Sequence, residues 1–240
     1  MGRIIGGFLD NDSVFGRIMT RCGIIIGANL MFILFSLPIL TLGPSLVALY
    51  HVMLKVLRGD GVLNPFKEFW NGFRNNFRQA MIYSAAVVLL SLLGVIDVRF
   101  CRQQGGALQW FCYAIYVIGI VLSVITAYLL PVMAAFADTI PHLIRNAVFF
   151  AARNPVKILL MLFLDVFPLY LTYTDIQRQP MYVFVWAMFG FGAIAMMGSS
   201  LLVKDFSRFL PKPEEYEKMP VQNKKKTKIQ ILHEMKKLDV

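Results

Sequence analysis

Residues 29–50, NLMFILFSLPILTLGPSLVALY, leave this chain few folds to choose from. The stretch is apolar enough to lie in a bilayer, yet a corner of small and helix-breaking residues cuts it in two. Pro38 lacks a backbone N–H and crowds the preceding turn. Gly43 and Pro44 add a second break close behind it. Broken backbone at membrane depth is tolerated only where protein or a water-lined cavity covers it. The corner is therefore either a tight hairpin between two short helices or the wall of a cavity. The rest of the chain agrees with a bilayer setting. Of 240 residues, 58% are hydrophobic and 16% charged, against about 25% charged in a soluble domain. The charges sit at the flanks of long apolar runs, which defines an all-α polytopic membrane protein.

Six spans are expected, at about 22–37, 44–57, 79–96, 107–136, 156–173 and 182–203. The first two fall short of the ~20 residues that a ~30 Å hydrocarbon core requires, so the first hairpin barely crosses or stays within the membrane. Two amphipathic segments lie between spans. In the first, Phe66, Phe69, Trp70, Phe73 and Phe77 recur three and four residues apart, with Lys67, Arg74 and Arg78 between them. It reads as a helix in the headgroup plane with its aromatics down. In the second, over 138–157, Ile140, Leu143, Ile144, Ala147 and Val148 share one side. Residues 1–20 also read as interfacial, with Ser13 placed to cap the helix entering the first span.

The membrane bundle is assigned to residues 1–210 and a basic tail to 211–240. The tail carries Lys224, Lys225, Lys226 and Lys228, and each cation beside anionic lipid contributes ~1 kcal/mol. The aromatic face and this lysine run are candidate docking elements for the bilayer or a protein partner. Nucleic acid is excluded as a partner, because the aromatic–basic segment is flanked by spans and no binding module is present. With the N-terminus placed inside, all but Arg99, Arg102 and Arg178 of the 24 Lys and Arg residues fall on the inner side. The positive-inside rule then puts both termini in the cytoplasm, in a cytoplasmic membrane.

Asp165, inside LLMLFLDVFPLYL, is the sharpest single residue. A mid-span carboxylate costs ~2.5–3.5 kcal/mol on insertion scales, so it faces the interior, is protonated, or is paired. It serves ion or proton coupling, or it serves the backbone groups loosened by Pro168. Asn29, mid-span, is either a ligand or an interhelical hydrogen-bonding residue. Ser36, Thr41 and Ser45 line a site or satisfy the corner's backbone. Gly190, Gly192 and Gly198 mark the sixth span as a close-packing face. Cys22, Cys101 and Cys112 fit no paired framework or metal spacing and read as isolated thiols, although Cys101 and Cys112 fall near one outer loop. No nucleotide-binding, metalloprotease or triad motif occurs, so neither a cofactor, a metal nor a catalytic activity is expected.

The pattern N-L-x-F, S-L-P-I-x-T-x-G-P and A-L-Y, carried by Asn29, Leu37, Pro38, Thr41, Gly43, Ala48 and Tyr50, resembles the N-terminal signature of the YesL-like family of bacterial integral membrane proteins. The likeness continues more loosely through 66–70 and 76–80, and Ser45 stands where the family often has Ala. The resemblance implies five or six spans and a place beside sugar-import machinery. The expected role is a non-catalytic auxiliary or assembly subunit of a bacterial carbohydrate import system, with permease or ATPase subunits as partners and a homo-oligomer left open. The alternative is a small carrier whose midplane site is built from Asp165, Asn29 and the Pro38–Pro44 corner. A membrane enzyme acting on lipid-linked sugar lacks an acid/base pair.

Overall fold

The computed structural model describes residues 14–59, 64–104, 109–136 and 138–207. Among these, the chain is helical throughout and carries six helices long and apolar enough to cross a membrane. The helices are α1 (Val14–Ser36), α2 (Leu42–Arg58), α3 (Pro65–Gln104), α4 (Gln109–Ala135), α5 (Ile140–Arg153), α6 (Pro155–Thr174), α7 (Gln179–Val185) and α8 (Phe191–Ser207). The spans are α1, α2 with the turn before it, α3, α4, α6, and α7–α8 taken together. The lysines of the tail and the interfacial helix expected before Val14 lie outside the described residues.

The first span is longer than its apolar run. α1 has 23 residues, because Val14–Arg21 continues the helix through two arginines that hydropathy alone stops at. Its far end is closed by the corner, which is a tight hairpin and not a cavity wall. α1 stops at Ser36, and one 3₁₀ turn, Ile39–Thr41, leads straight into α2. Thr41 Oγ1 lies 2.6 Å from the Phe35 carbonyl and 2.7 Å from the Pro38 carbonyl, so one hydroxyl proton is shared between the two, and the Pro38 carbonyl also accepts the Thr41 N–H at 2.9 Å. Ser36 Oγ donates to the Ile33 carbonyl at 3.1 Å. Leu37, Ile39 and Leu40 at the tip are exposed and apolar.

α2 forms the centre of the bundle. Val47, Ala48, Leu49, Val52 and Met53 are fully buried, with α1, α3, α4 and α8 packed around them. Gly43 sets the spacing at its start. A Cβ there would lie 2.6 Å from Ser84 Cβ and 2.8 Å from the Ala80 carbonyl oxygen, so only glycine lets α2 meet α3 this closely.

The expected interfacial helix before the third span does not exist as a separate element. It is the first part of α3, a single helix of 40 residues, about 60 Å at ~1.5 Å per residue. Its aromatics do not all turn towards lipid. Phe69 and Phe73 are buried, and Phe35 from the end of α1 contacts Phe69, Trp70 and Phe73 with ring centroids 5.9, 5.7 and 5.0 Å away. Ring packing of this kind contributes about 0.5–1.5 kcal/mol per pair beyond area burial. Phe66 and Trp70 remain exposed, and Phe77 is half-buried. The second amphipathic helix is separate. α5 packs Leu143, Ala147 and Phe150 into the core, where Phe150 meets Phe136 and Phe206. Val148, expected on the same side, is exposed.

Candidate functional site

The interior polar groups fall into three places. The first surrounds Asn29, which is fully buried in α1. Between α7 and α8 the sixth span contains a π-helical turn, Trp186–Gly190. Such a turn leaves carbonyls and an N–H without their regular α partners. Asn29 takes them up. Its Nδ2 donates to the Trp186 carbonyl at 3.0 Å and to the Ala187 carbonyl at 2.9 Å. Its Oδ1 accepts the Gly192 N–H at 2.9 Å. Both amide protons and one oxygen lone pair are thus engaged by a segment more than 150 residues away in sequence.

The approach is close because Gly192 has no side chain. A Cβ there would sit 2.9 Å from Ile25 Cγ2 and 3.0 Å from the Ile25 carbonyl oxygen. Trp186 Nε1 extends the network by donating to Thr172 Oγ1 at 2.9 Å, and Thr172 Oγ1 donates to the Pro168 carbonyl at 2.8 Å. Phe32 and Trp186 both pack on Phe191. The glycines of the sixth span are therefore a packing face, as their spacing implies: Gly198 likewise lies against Tyr50 and Met161.

The second place is Asp165, in the middle of α6. It is half-buried and makes no hydrogen bond or ion pair among the described residues. Its electrostatic neighbour is Tyr50 of α2, whose hydroxyl would be 3.4 Å from a Cβ on Gly198. The side chains of Ser45, Tyr128 and Ser199 are also buried with no hydrogen-bond partner among the described residues. Buried polar groups are paired as a rule, so these orphans are unusual.

The third place joins α2, α3 and α4. Lys55 Nζ lies 2.6 Å from Glu68 Oε2, and His51 Nε2 lies 3.8 Å from the same oxygen. His51 Nδ1 is 3.1 Å from the Ala134 carbonyl, so that nitrogen carries the proton. Gly72 makes room for the imidazole, since a Cβ there would be 3.0 Å from His51 Cβ. A similar clasp ties α6 to α8: Lys157 Nζ is 2.6 Å from Asp205 Oδ2, with Asn154 Nδ2 at 3.4 Å.

The residues singled out in the sequence are thus not brought together in one site. Asn29 serves the π turn; Ser36 and Thr41 serve the corner; Pro38, Gly43 and Pro44 build it; Asp165 lies elsewhere. The Glu68 and Asp205 clasps went unrecognised in the sequence, because their partners lie 13 and 48 residues away at no helical repeat. Cys22, Cys101 and Cys112 are free thiols, as read from the sequence; Cys112 Sγ lies 3.9 Å from the Val98 carbonyl, on the turn of α3 that carries Cys101.

Helices, spans and interior together define an all-α, six-span membrane protein. Residues 25–98 match the model of a family described as "Protein of unknown function, DUF624". Over 134 residues the chain is 23% identical to "Uncharacterized protein YteU" of Bacillus subtilis (strain 168), a match covering 53% of this chain and 60% of that protein. No solved structure matches. The likeness to the YesL-like family, expected from Asn29 to Tyr50, is found in the segment that holds the corner, α2 and most of α3.

Proposed function

We propose that this chain is a non-catalytic auxiliary or assembly subunit of a bacterial carbohydrate import system, seated in the cytoplasmic membrane with both termini in the cytoplasm. The observation that carries the reading is the engagement of Asn29. The amide best placed to bind a solute at mid-span is held by three backbone groups of the protein itself. Thr41 and Ser36 are engaged in the same way. Polar side chains in α1 and the corner that close internal contacts suit a scaffold better than a carrier. The link to carbohydrate import rests on the YesL-like resemblance, and the orientation rests on the distribution of Lys and Arg. Docking falls to the exposed Phe66 and Trp70 at the start of α3, together with the lysines at 224–228.

The test is purification of the tagged protein from its native host in mild detergent, with co-purifying proteins identified by mass spectrometry. Stoichiometric permease or ATPase subunits support the reading. A lone homo-oligomer overturns it.

One observation favours a second reading, a small carrier. Asp165 has no bonded partner among the described residues and Tyr50 lies within its electrostatic reach, and hydroxyls without a partner among the described residues lie in the same bundle. Under this reading the purified protein binds a polar solute and Asp165→Asn loses at least tenfold in affinity. Unchanged binding in that variant excludes it.

A further inference from the structure

α3 and α4 form an antiparallel hairpin. Tyr83 pairs with Thr126 through their hydroxyls at 2.8 Å, and Gly94 lies opposite Ile115. Beyond Gly94 the two helices have little else to pack on: Val95, Ile96, Phe100 and, on α4, Val117, Ile118 and Ile120 are all exposed. At the tip, Arg102 Nη2 donates to the Tyr116 hydroxyl at 2.8 Å. Just beneath it, Cys112 Sγ lies 3.9 Å from the Val98 carbonyl, and Cys101, a free thiol like Cys112, stands one helical turn beyond Val98 on α3. Both cysteines are more than nine-tenths buried.

We propose that Cys101 and Cys112 are joined in a disulfide that clamps the outer end of the α3–α4 hairpin. The proposal rests on the orientation given above, which places this end outside the cytoplasm, where disulfides form and persist. Cys112 already packs on the turn of α3 that carries Cys101, so the two sulfurs have only to close across the hairpin to a bond of about 2.05 Å. The oxidant is a disulfide-bearing thiol oxidoreductase of the outer face. One cysteine thiolate attacks the donor's disulfide and forms a mixed disulfide, releasing one donor thiolate. The second cysteine thiolate then attacks the bonded cysteine sulfur, and the donor leaves as a dithiol. Two protons and two electrons leave the cysteine pair, and the donor takes up both electrons. Because both sulfurs are shielded in the closed hairpin, exchange takes place as α3 and α4 come together, and the finished bond is protected from reductant.

The experiment uses the full chain in its native membrane, with Cys22→Ser removing the remaining thiol. Membranes are quenched in acid, dissolved in SDS and treated with a polyethylene-glycol maleimide before and after reduction. The expected result is no added mass before reduction and two tags after it. Cys101→Ser in the same background takes one tag without reduction. Orientation is read separately from Gln103→Cys in a chain with Cys22→Ser, Cys101→Ser and Cys112→Ser, using an impermeant maleimide on intact cells. Labelling of that site together with two tags before reduction overturns the disulfide and leaves the orientation standing. Labelling only after permeabilisation overturns the orientation, and the disulfide falls with it.

Discussion

Replacing Asn29 by Ala removes two donations and one acceptance at once. Interhelical hydrogen bonds in membrane proteins average ~0.6 kcal/mol and reach ~1.7 kcal/mol. Three of them give about 2 kcal/mol, with an upper bound near 5 kcal/mol. At roughly 2–4 °C per kcal/mol for a chain of this size, Tm falls by about 4–8 °C. Asn29→Leu separates bonding from packing, since it restores side-chain volume without a polar atom. It is expected to recover little of the loss, because the Trp186 and Ala187 carbonyls and the Gly192 N–H remain unpaired. Asn29→Asp keeps an acceptor for Gly192 but turns a carboxylate towards two carbonyls, and is expected to be the least stable of the three. The assay is reversible unfolding in mixed micelles, followed by tryptophan fluorescence. Asn29→Ala within about 0.3 kcal/mol of the parent, a difference too small for even one average bond, would refute the argument. So would full recovery in Asn29→Leu.

Four further outcomes follow from the close contacts and clasps. Gly43→Ala, which drives a methyl to 2.8 Å from the Ala80 carbonyl oxygen, is expected to lower stability by about 1–3 kcal/mol. Gly23→Ala, with nothing within 4 Å of the added carbon, is expected to gain up to about 1 kcal/mol from helix propensity; thermal unfolding of the pair checks the contrast. Thr41→Val leaves the Phe35 and Pro38 carbonyls without their shared donor and is expected to cost about 1 kcal/mol, read in the same assay. Glu68→Gln removes the charge that faces both Lys55 and His51. A double-mutant cycle with Lys55→Met is expected to show coupling of at least ~0.5 kcal/mol, and additive effects would mean the clasp contributes nothing.

What could be read from the sequence depended on the range of the interaction. The six spans were legible because a run such as 79–96 declares itself residue by residue. The corner was legible because Pro38, Gly43 and Pro44 act on their own backbone. The ends of elements were harder. Arg17 and Arg21 end an apolar run without ending a helix, so the span is longer than its hydropathy, although the cap read at position 13 already puts the start of the helix next to Val14. Arg74 and Arg78 made one helix look like two, since an amphipathic face gives the same spacing whether it lies on a bilayer or on Phe35. Asn29 announced a hydrogen bond, but nothing near it announced the partner. The Trp186–Gly190 turn contains no proline, and its one glycine joins Gly192 and Gly198 in a packing pattern that hides the change of helical pitch.

That turn has a consequence for how the chain is counted. A π turn accommodates one residue more than the α-helix around it, and one residue corresponds to about 100° of rotation. Deleting any one residue from Trp186–Gly190 lets the ladder run through as regular α-helix, and everything N-terminal to the cut swings by that angle relative to α8. The Trp186 indole then leaves Thr172, and Tyr182 of α7 swings away from Asp175, to whose carboxylate its hydroxyl donates. The extra residue works as a phase adjuster: it lets a single span meet Asn29 of α1 at its middle while Trp186 and Tyr182 reach Thr172 and Asp175 at the end of α6, a pair of demands that an unbroken helix of the same length does not meet.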